Sequence, residues 1–200
     1  MKRILILICL VINTAQAAPV LIKNAKLAQA GLDSNVLVDI LVQDGRFQSV
    51  ETNLRLADTV SNTLEIIDAQ GQWVTPGLID SGTTIGLVDV PGLGISSDNR
   101  VEDFPLSAGL SVALALNPES SLIRMAPTDG ITRGVIIPVP GNSNYAGQSS
   151  VVEFSGKTDF VVYADNAVHL YLRERDRRFA GGSRAAVLYS AVLGLQESQR

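Results

Sequence analysis

A chain of 200 residues with 46% hydrophobic and 18% charged side chains can bury a substantial core in one large or two small domains, which excludes intrinsic disorder. Its formal net charge of −4 repels polyanions, so neither nucleic acid nor an anionic lipid surface is an expected partner. A single cysteine, Cys9, excludes an intramolecular disulfide framework.

The chain opens as an export signal, with a basic start at Lys2 and Arg3, an apolar run from Ile4 to Ile12, and the small-x-small cleavage pattern Ala15-Gln16-Ala17. Residues 1–17 are therefore read as a signal peptide and Ala18 as the mature start. The run falls short of the roughly 20 residues that a membrane span requires, so no membrane association is expected after the signal is removed. Ile8 before Cys9 is not the small residue that a lipoprotein site would want. Export without a cysteine in the mature chain suits a bacterial periplasm.

From Val20 to Thr75 the residues predict short strands joined by turns. Val20–Leu27 is the first. Val36–Gln43 follows, and Asp44-Gly45 supplies a dipeptide that tolerates positive φ at both central positions of a hairpin turn, returning the chain as Arg46–Glu51. Leu64–Asp68, a turn at Gln70-Gly71, and Gln72–Thr75 are expected to make a further pair, with Trp73 as a packing anchor. The expectation is a small antiparallel β unit over residues 18–75.

After Pro76 strands alternate with helical or irregular segments, a rhythm that predicts βα units around a parallel sheet. Leu78–Thr84 is the first strand. Asp89–Pro105 is rich in Gly, Pro, Ser and Asp and reads as a loop over that strand's C-terminal end; Leu106–Leu116 is apolar but holds Gly109, leaving helix and strand both open. Asn117-Pro118-Glu119 predicts a helix start, with the helix running to about Thr128 and ending at Asp129-Gly130. Ile131–Pro138 is the next strand, Pro140–Gly147 an irregular loop, Ser149–Phe154 a strand, and Asp159–Ala164 extended. The charged run Arg173–Arg178 reads as a solvated face. Arg184–Gln196 carries a helical stripe of Val187, Leu188, Ala191, Val192 and Leu195.

The segment Val74–Leu87 reads V-T-P-G-L-I-D-S-G-T-T-I-G-L, and around it stand L-V-Q-D-G-R-F at Leu41–Phe47, A-L-N-P-E-S-S-L-I at Ala115–Ile123, D-G-I-T at Asp129–Thr132, A-G-Q-S-S-V-V at Ala146–Val152 and G-G-S-R-A-A at Gly181–Ala186. In this order and spacing the segments resemble the metal-dependent amidohydrolase superfamily, and within it the exported branch similar to imidazolonepropionase. The resemblance implies an α/β protein with an N-terminal β unit: a composite β-sandwich portion over residues 18–75, followed over 76–200 by the first part of an incomplete (β/α)8 TIM barrel. A whole barrel takes about 250 residues, so residues 76–200 are expected to be the N-terminal part of a longer protein. Open strand edges on such a part predict self-association of the isolated chain.

The family resembled hydrolyses non-peptide C–N bonds, in cyclic amides or dipeptide-like substrates, with water activated by a zinc-like ion. Its first barrel strand reads P-G-x-I-D-x-H-x-H. Pro76, Gly77, Ile79 and Asp80 match, but Gly82 and Thr84 stand at the histidine positions. Glycine has no side chain to coordinate, and a threonine hydroxyl is a poor ligand for such an ion beside neutral imidazole. The family's remaining ligands, a lysine, two histidines and an aspartate, would by the same resemblance lie on later strands. No metal or other cofactor is therefore expected in this chain, although a full-length parent would hold a divalent metal, and no turnover is expected from the chain as it stands.

Asp80 and Thr84 are the candidate pocket residues; Asp80 has the plainer alternative of bonding nearby backbone and shaping the loop. The expected partners are a small-molecule substrate or ligand, a second copy of the chain, or a catalytic partner subunit. His169, the one histidine, lies in the apolar run Ala167–Leu172 and reads as structural. Ser183 in G-G-S-R lacks nucleophile-elbow spacing. The glycines of Pro140–Gly147 offer backbone N–H groups to an anion, with a turn as their plainer role.

Overall fold

A computed structural model describes residues 18–28, 36–55, 64–90, 92–102 and 107–199. The export signal of residues 1–17 lies outside them. Two compact units divide between Pro76 and Gly77.

The first unit is one five-stranded sheet. β1 (Val20–Leu27), β2 (Leu37–Gln43) and β3 (Arg46–Glu51) run as antiparallel neighbours. The Asp44-Gly45 turn takes φ of +52° and +71°, the doubly positive geometry that suits the twist of a two-residue hairpin. β4 (Glu65–Asp68) and β5 (Trp73–Val74) do not pair with each other as the sequence predicted; both run parallel to β1. The cause is a bulge in β1 between Ile22 and Ala25, where Asn24 takes φ +54°. The Asn24 carbonyl accepts from the Gly71 N–H at 2.8 Å and its Nδ2 donates to Asp68 at 3.0 Å, so the Gln70-Gly71 turn is a step along one edge rather than a reversal. That Asn24 bond, aided by the Gln70 N–H, holds the Asp68 carboxyl below the usual carboxylate range. Asp39 is buried in the same unit and accepts from the Asn24 and Leu54 N–H groups at 3.1 and 3.0 Å, which ties the bulge to the end of the hairpin. Trp73 is not the expected anchor: its ring is 53% exposed, with the Lys26 ammonium 5.9 Å from its centroid.

In the second unit β6 (Leu78–Thr83) and β7 (Ile131–Ile136) lie parallel, joined by a long crossover. β8 (Tyr145–Glu153) and β9 (Val161–Leu170) extend that sheet antiparallel, in the order β6-β7-β8-β9. The expectation of a parallel sheet thus holds for the first pair only. The segments linking β7 to β8 and β8 to β9 are too short for the crossover that parallel neighbours need. Leu87, Val112, Ile123, Ile136, Val152, Phe154 and Phe160 form the core beneath this sheet, each full burial contributing about 1.5–3 kcal/mol.

The predicted helix after Asn117 is shorter and starts later. Asn117 Oδ1 accepts from the Glu119 N–H at 3.0 Å, closing a turn, and α1 spans only Ser121–Met125 before tightening into a 3-10 turn over Ala126–Asp129. Within the undecided apolar stretch the described residues give a 3-10 turn, Val112–Ala115. α2 (Arg184–Glu197) begins where Ser183 Oγ accepts from the Ala186 N–H at 3.1 Å. The Tyr145 hydroxyl donates to the Ala191 carbonyl at 3.1 Å and the ring lies over Gly194, where a Cβ would overlap it, so α2 docks close to the start of β8. Of the predicted stripe only Val187 and Ala191 are buried; Leu188, Val192 and Leu195 face solvent.

The charged run Arg173–Arg178 is not only a solvated face. It forms most of a 3-10 segment, Glu174–Ala180, in which Asp176 is 1% exposed. Asp176 accepts from the Arg173 backbone N–H at 3.0 Å and from the guanidinium Nε and Nη2 at 2.7 and 3.0 Å. This guanidinium, outweighing burial, holds the Asp176 carboxyl below its ordinary value.

Candidate functional site

At the C-terminal ends of the parallel strands β6 and β7 the loops leaving neighbouring strands converge, and in α/β sheets ligands bind outside such ends. The register slips by one residue between Asp80 and Thr83, so simple alternation does not carry Asp80, Gly82 and Thr84 onto one face, and Thr84 lies just past the strand end. The half-buried Asp80 accepts from the Gly82 N–H at 3.1 Å, an internal bond of the kind that shapes a strand end. Gly82 is open to solvent on one side, but a Cβ there would lie 3.2 Å from the Ile137 Cδ1. The half-buried Thr84 accepts through its carbonyl from the N–H groups of Leu87 and Val88, at 3.0 and 3.1 Å, and so begins the turn that leads the chain away.

This donor set does not fit a divalent metal. Gly82 contributes no side-chain ligand atom and Thr84 only a hydroxyl, which leaves Asp80 as a lone carboxylate. Among the described residues no three His, Cys, Asp or Glu side chains come together in a metal-holding group.

A separate cavity of about 410 Å³ is lined by Arg100, Glu102, Pro140, Gly141, Asn142, Arg178 and Phe179. Asp80 and Thr84 are not part of its lining. Its walls come from the loop after β6, the loop after β7 and the 3-10 segment before α2. The two loops are stitched together: the Val139 N–H donates to the Asn99 carbonyl at 2.8 Å, and Asn142 Nδ2 donates to the Glu102 carbonyl at 3.1 Å. Gly141 sits so close to the Val101 carbonyl that a Cβ would overlap it. Arg100 is paired with Glu102 at 3.0 Å, and the Arg178 guanidinium stacks 4.5 Å from the Phe179 centroid.

Sequence reasoning placed Arg100 in the loop Asp89–Pro105 and Arg178 on a solvated face, and gave neither a binding role. The one signal that pointed here was the Pro140–Gly147 loop as an anion cradle. Its glycine at 141 serves close loop packing, while Gly147, at φ +125°, lies within β8 beside Leu110. His169 lies on β9 with its Nε2 buried and without a hydrogen-bond partner, and burial lowers its pKa. Asn144 is likewise buried with both amide atoms unpartnered.

Against known proteins, no family model matches the chain. It is 26% identical over 120 residues to the amidohydrolase tasK of Hapsidospora irregularis, a match covering 58% of this chain and 12% of that protein. The crystal structure of an amidohydrolase from Thermotoga maritima MSB8 superposes with a TM-score of 0.69 at 23% identity, over 90% of this chain and 49% of that one. The chain is related to the amidohydrolases. Its mixed α/β fold, an N-terminal β unit followed by a second unit built on a mixed sheet, matches that of the Thermotoga amidohydrolase over about half that protein's length. Within this amidohydrolase relative no described helix is long and apolar enough to cross a membrane.

Proposed function

We propose that this chain is an exported, periplasmic amidohydrolase-like protein, of the imidazolonepropionase-like branch, that does not itself turn over a substrate. The family it resembles hydrolyses non-peptide C–N bonds of cyclic amides or dipeptide-like compounds; the chain keeps the scaffold and uses it to hold a small molecule or to pair with a catalytic subunit. The observation that carries this reading is Gly82, whose missing side chain would point at the Ile137 methyl at 3.2 Å. An imidazole there would first press the Ile137 Cδ1 back by a few tenths of an ångström. Fold and chemistry are separable, so a retained scaffold does not argue for retained hydrolysis. β6 is an edge strand of its sheet, with Leu78 and Ile79 each 61% exposed, which supports pairing with a strand of a second copy or a partner subunit.

The test is metal content together with activity. The purified chain is incubated with zinc, passed through gel filtration and analysed by mass spectrometry for bound metal, then assayed on hydantoin and N-acetylglycine. The expected result is well below one zinc per chain and no chelator-sensitive hydrolysis. Stoichiometric zinc that survives gel filtration, or hydrolysis abolished by a chelator, would assign the chain to the enzymes instead.

A further inference from the structure

We propose that the cavity between the loops after β6 and β7 is a binding site for a small organic monocarboxylate. Charge carries the first step. Among the described residues, two guanidinium groups, Arg100 and Arg178, and one carboxylate, Glu102, line the cavity, a local excess of one positive charge on a chain whose formal charge is −4. Glu102 satisfies Arg100 at 3.0 Å. Among the described residues no carboxylate lies within ion-pair distance of Arg178, whose Cζ instead lies over the Phe179 ring, 4.5 Å from its centroid. A guanidinium fixed in this way keeps its edge donors for a planar anion, and a carboxylate accepts two parallel N–H bonds from such an edge.

Preorganisation is the second step. The two loops are joined by the Asn99–Val139 and Glu102–Asn142 bonds and by the close approach at Gly141, so the cavity walls are set before a ligand arrives. At about 410 Å³ the cavity takes a small organic molecule and is too small for a polymer. Glu102 decides between anions: a singly charged carboxylate meets a site of matching charge, whereas a phosphate dianion brings a second negative charge against the Glu102 carboxylate. The site stands whether or not the chain hydrolyses anything, since it uses neither Asp80, Gly82 nor Thr84.

Titration calorimetry on the full chain tests this with N-acetylglycine, its neutral isostere N-acetylglycinamide, and inorganic phosphate. N-acetylglycine is expected to bind at least tenfold more tightly than either of the others, and Arg178→Gln to weaken it at least tenfold, with Arg178→Lys in between. Equal binding of the neutral amide, phosphate binding as tight as the carboxylate, or an unchanged affinity in R178Q would each overturn the proposal. The ligand comparison on the unaltered chain decides the matter even if R178Q fails to fold. No arm reads metal or turnover, so failure here leaves the non-catalytic reading standing, and the converse holds.

Discussion

Arg173→Ala is expected to destabilise the chain by about 1–3 kcal/mol at neutral pH, the cost of leaving a buried carboxylate without its charged donor. Asp176 is 1% exposed and Arg173 40% exposed, so the two halves of the pair are not equivalent. Truncating Arg173 strands a carboxylate away from water with only the backbone N–H of residue 173 still donating to it. Truncating Asp176 leaves a guanidinium that reaches solvent, and the loss falls to about 1–2 kcal/mol, close to that of a lost cap. Guanidinium chloride unfolding followed by far-UV circular dichroism measures both.

The pH dependence of the same pair has a definite sign. Because Arg173 lowers the Asp176 pKa in the folded chain, the pair's contribution is complete above the unfolded carboxyl value of about 3.9 and is lost as pH falls through the lower folded value. The gap between the unaltered chain and Arg173→Ala is therefore full at pH 7 and narrows as the pH falls, first as the stranded Asp176 of the variant takes up a proton and then as the paired Asp176 of the unaltered chain does. A gap under 1 kcal/mol at pH 7, or one that widens in acid, would show that the pair does not hold the segment.

Gly141→Ala is expected to cost about 1–3 kcal/mol, the range for overpacking a site that cannot yield. The atom in the way is the Val101 backbone carbonyl, not the end of a flexible side chain, so relief requires the two loops to part. Parting them breaks the Asn99–Val139 and Glu102–Asn142 bonds and moves Arg100 away from Asn142. Carboxylate binding should then fall at least tenfold although no charge has been removed. Gly92→Ala is the control, since a Cβ there meets nothing within 4 Å; its positive φ still adds backbone strain, but away from the cavity lining. Full binding and an unchanged melting temperature in Gly141→Ala would mean that the loops are not fixed by this contact.

What the sequence disclosed followed the range of the interactions concerned. Asp44-Gly45 was legible because a two-residue turn is decided by the residues in it. The parallel course of β4 and β5 was not, because it depends on Asn24 meeting Asp68 and Gly71 across the sheet. In R-E-R-D-R-R each acid has an arginine three residues away, Arg173 for Asp176 and Arg177 for Glu174, so spacing alone does not tell the buried Asp176 from the exposed Glu174. At the candidate site, the replacement of two histidines by Gly82 and Thr84 stood in the sequence, whereas Ile137 as the neighbour facing Gly82 did not. The cavity was half visible. Its loop stood out by composition, but Arg100 and Arg178 lie far apart in the chain and share no motif.

The long crossover between β6 and β7 also bears on how the second unit assembles. β8 and β9 are closed by residues 154–160 alone, while β6 reaches β7 only after residues 84–130 have been gathered in. The difference in loop length makes the parallel closure costlier by about 2 kcal/mol of chain entropy, and distant pairings of this kind form slowly. The antiparallel hairpin is thus expected to form first and β6 to join later. On that order the strand that bears Asp80 and Gly82 docks onto a sheet already built, and amide exchange is expected to be faster along its docking edge than between β8 and β9.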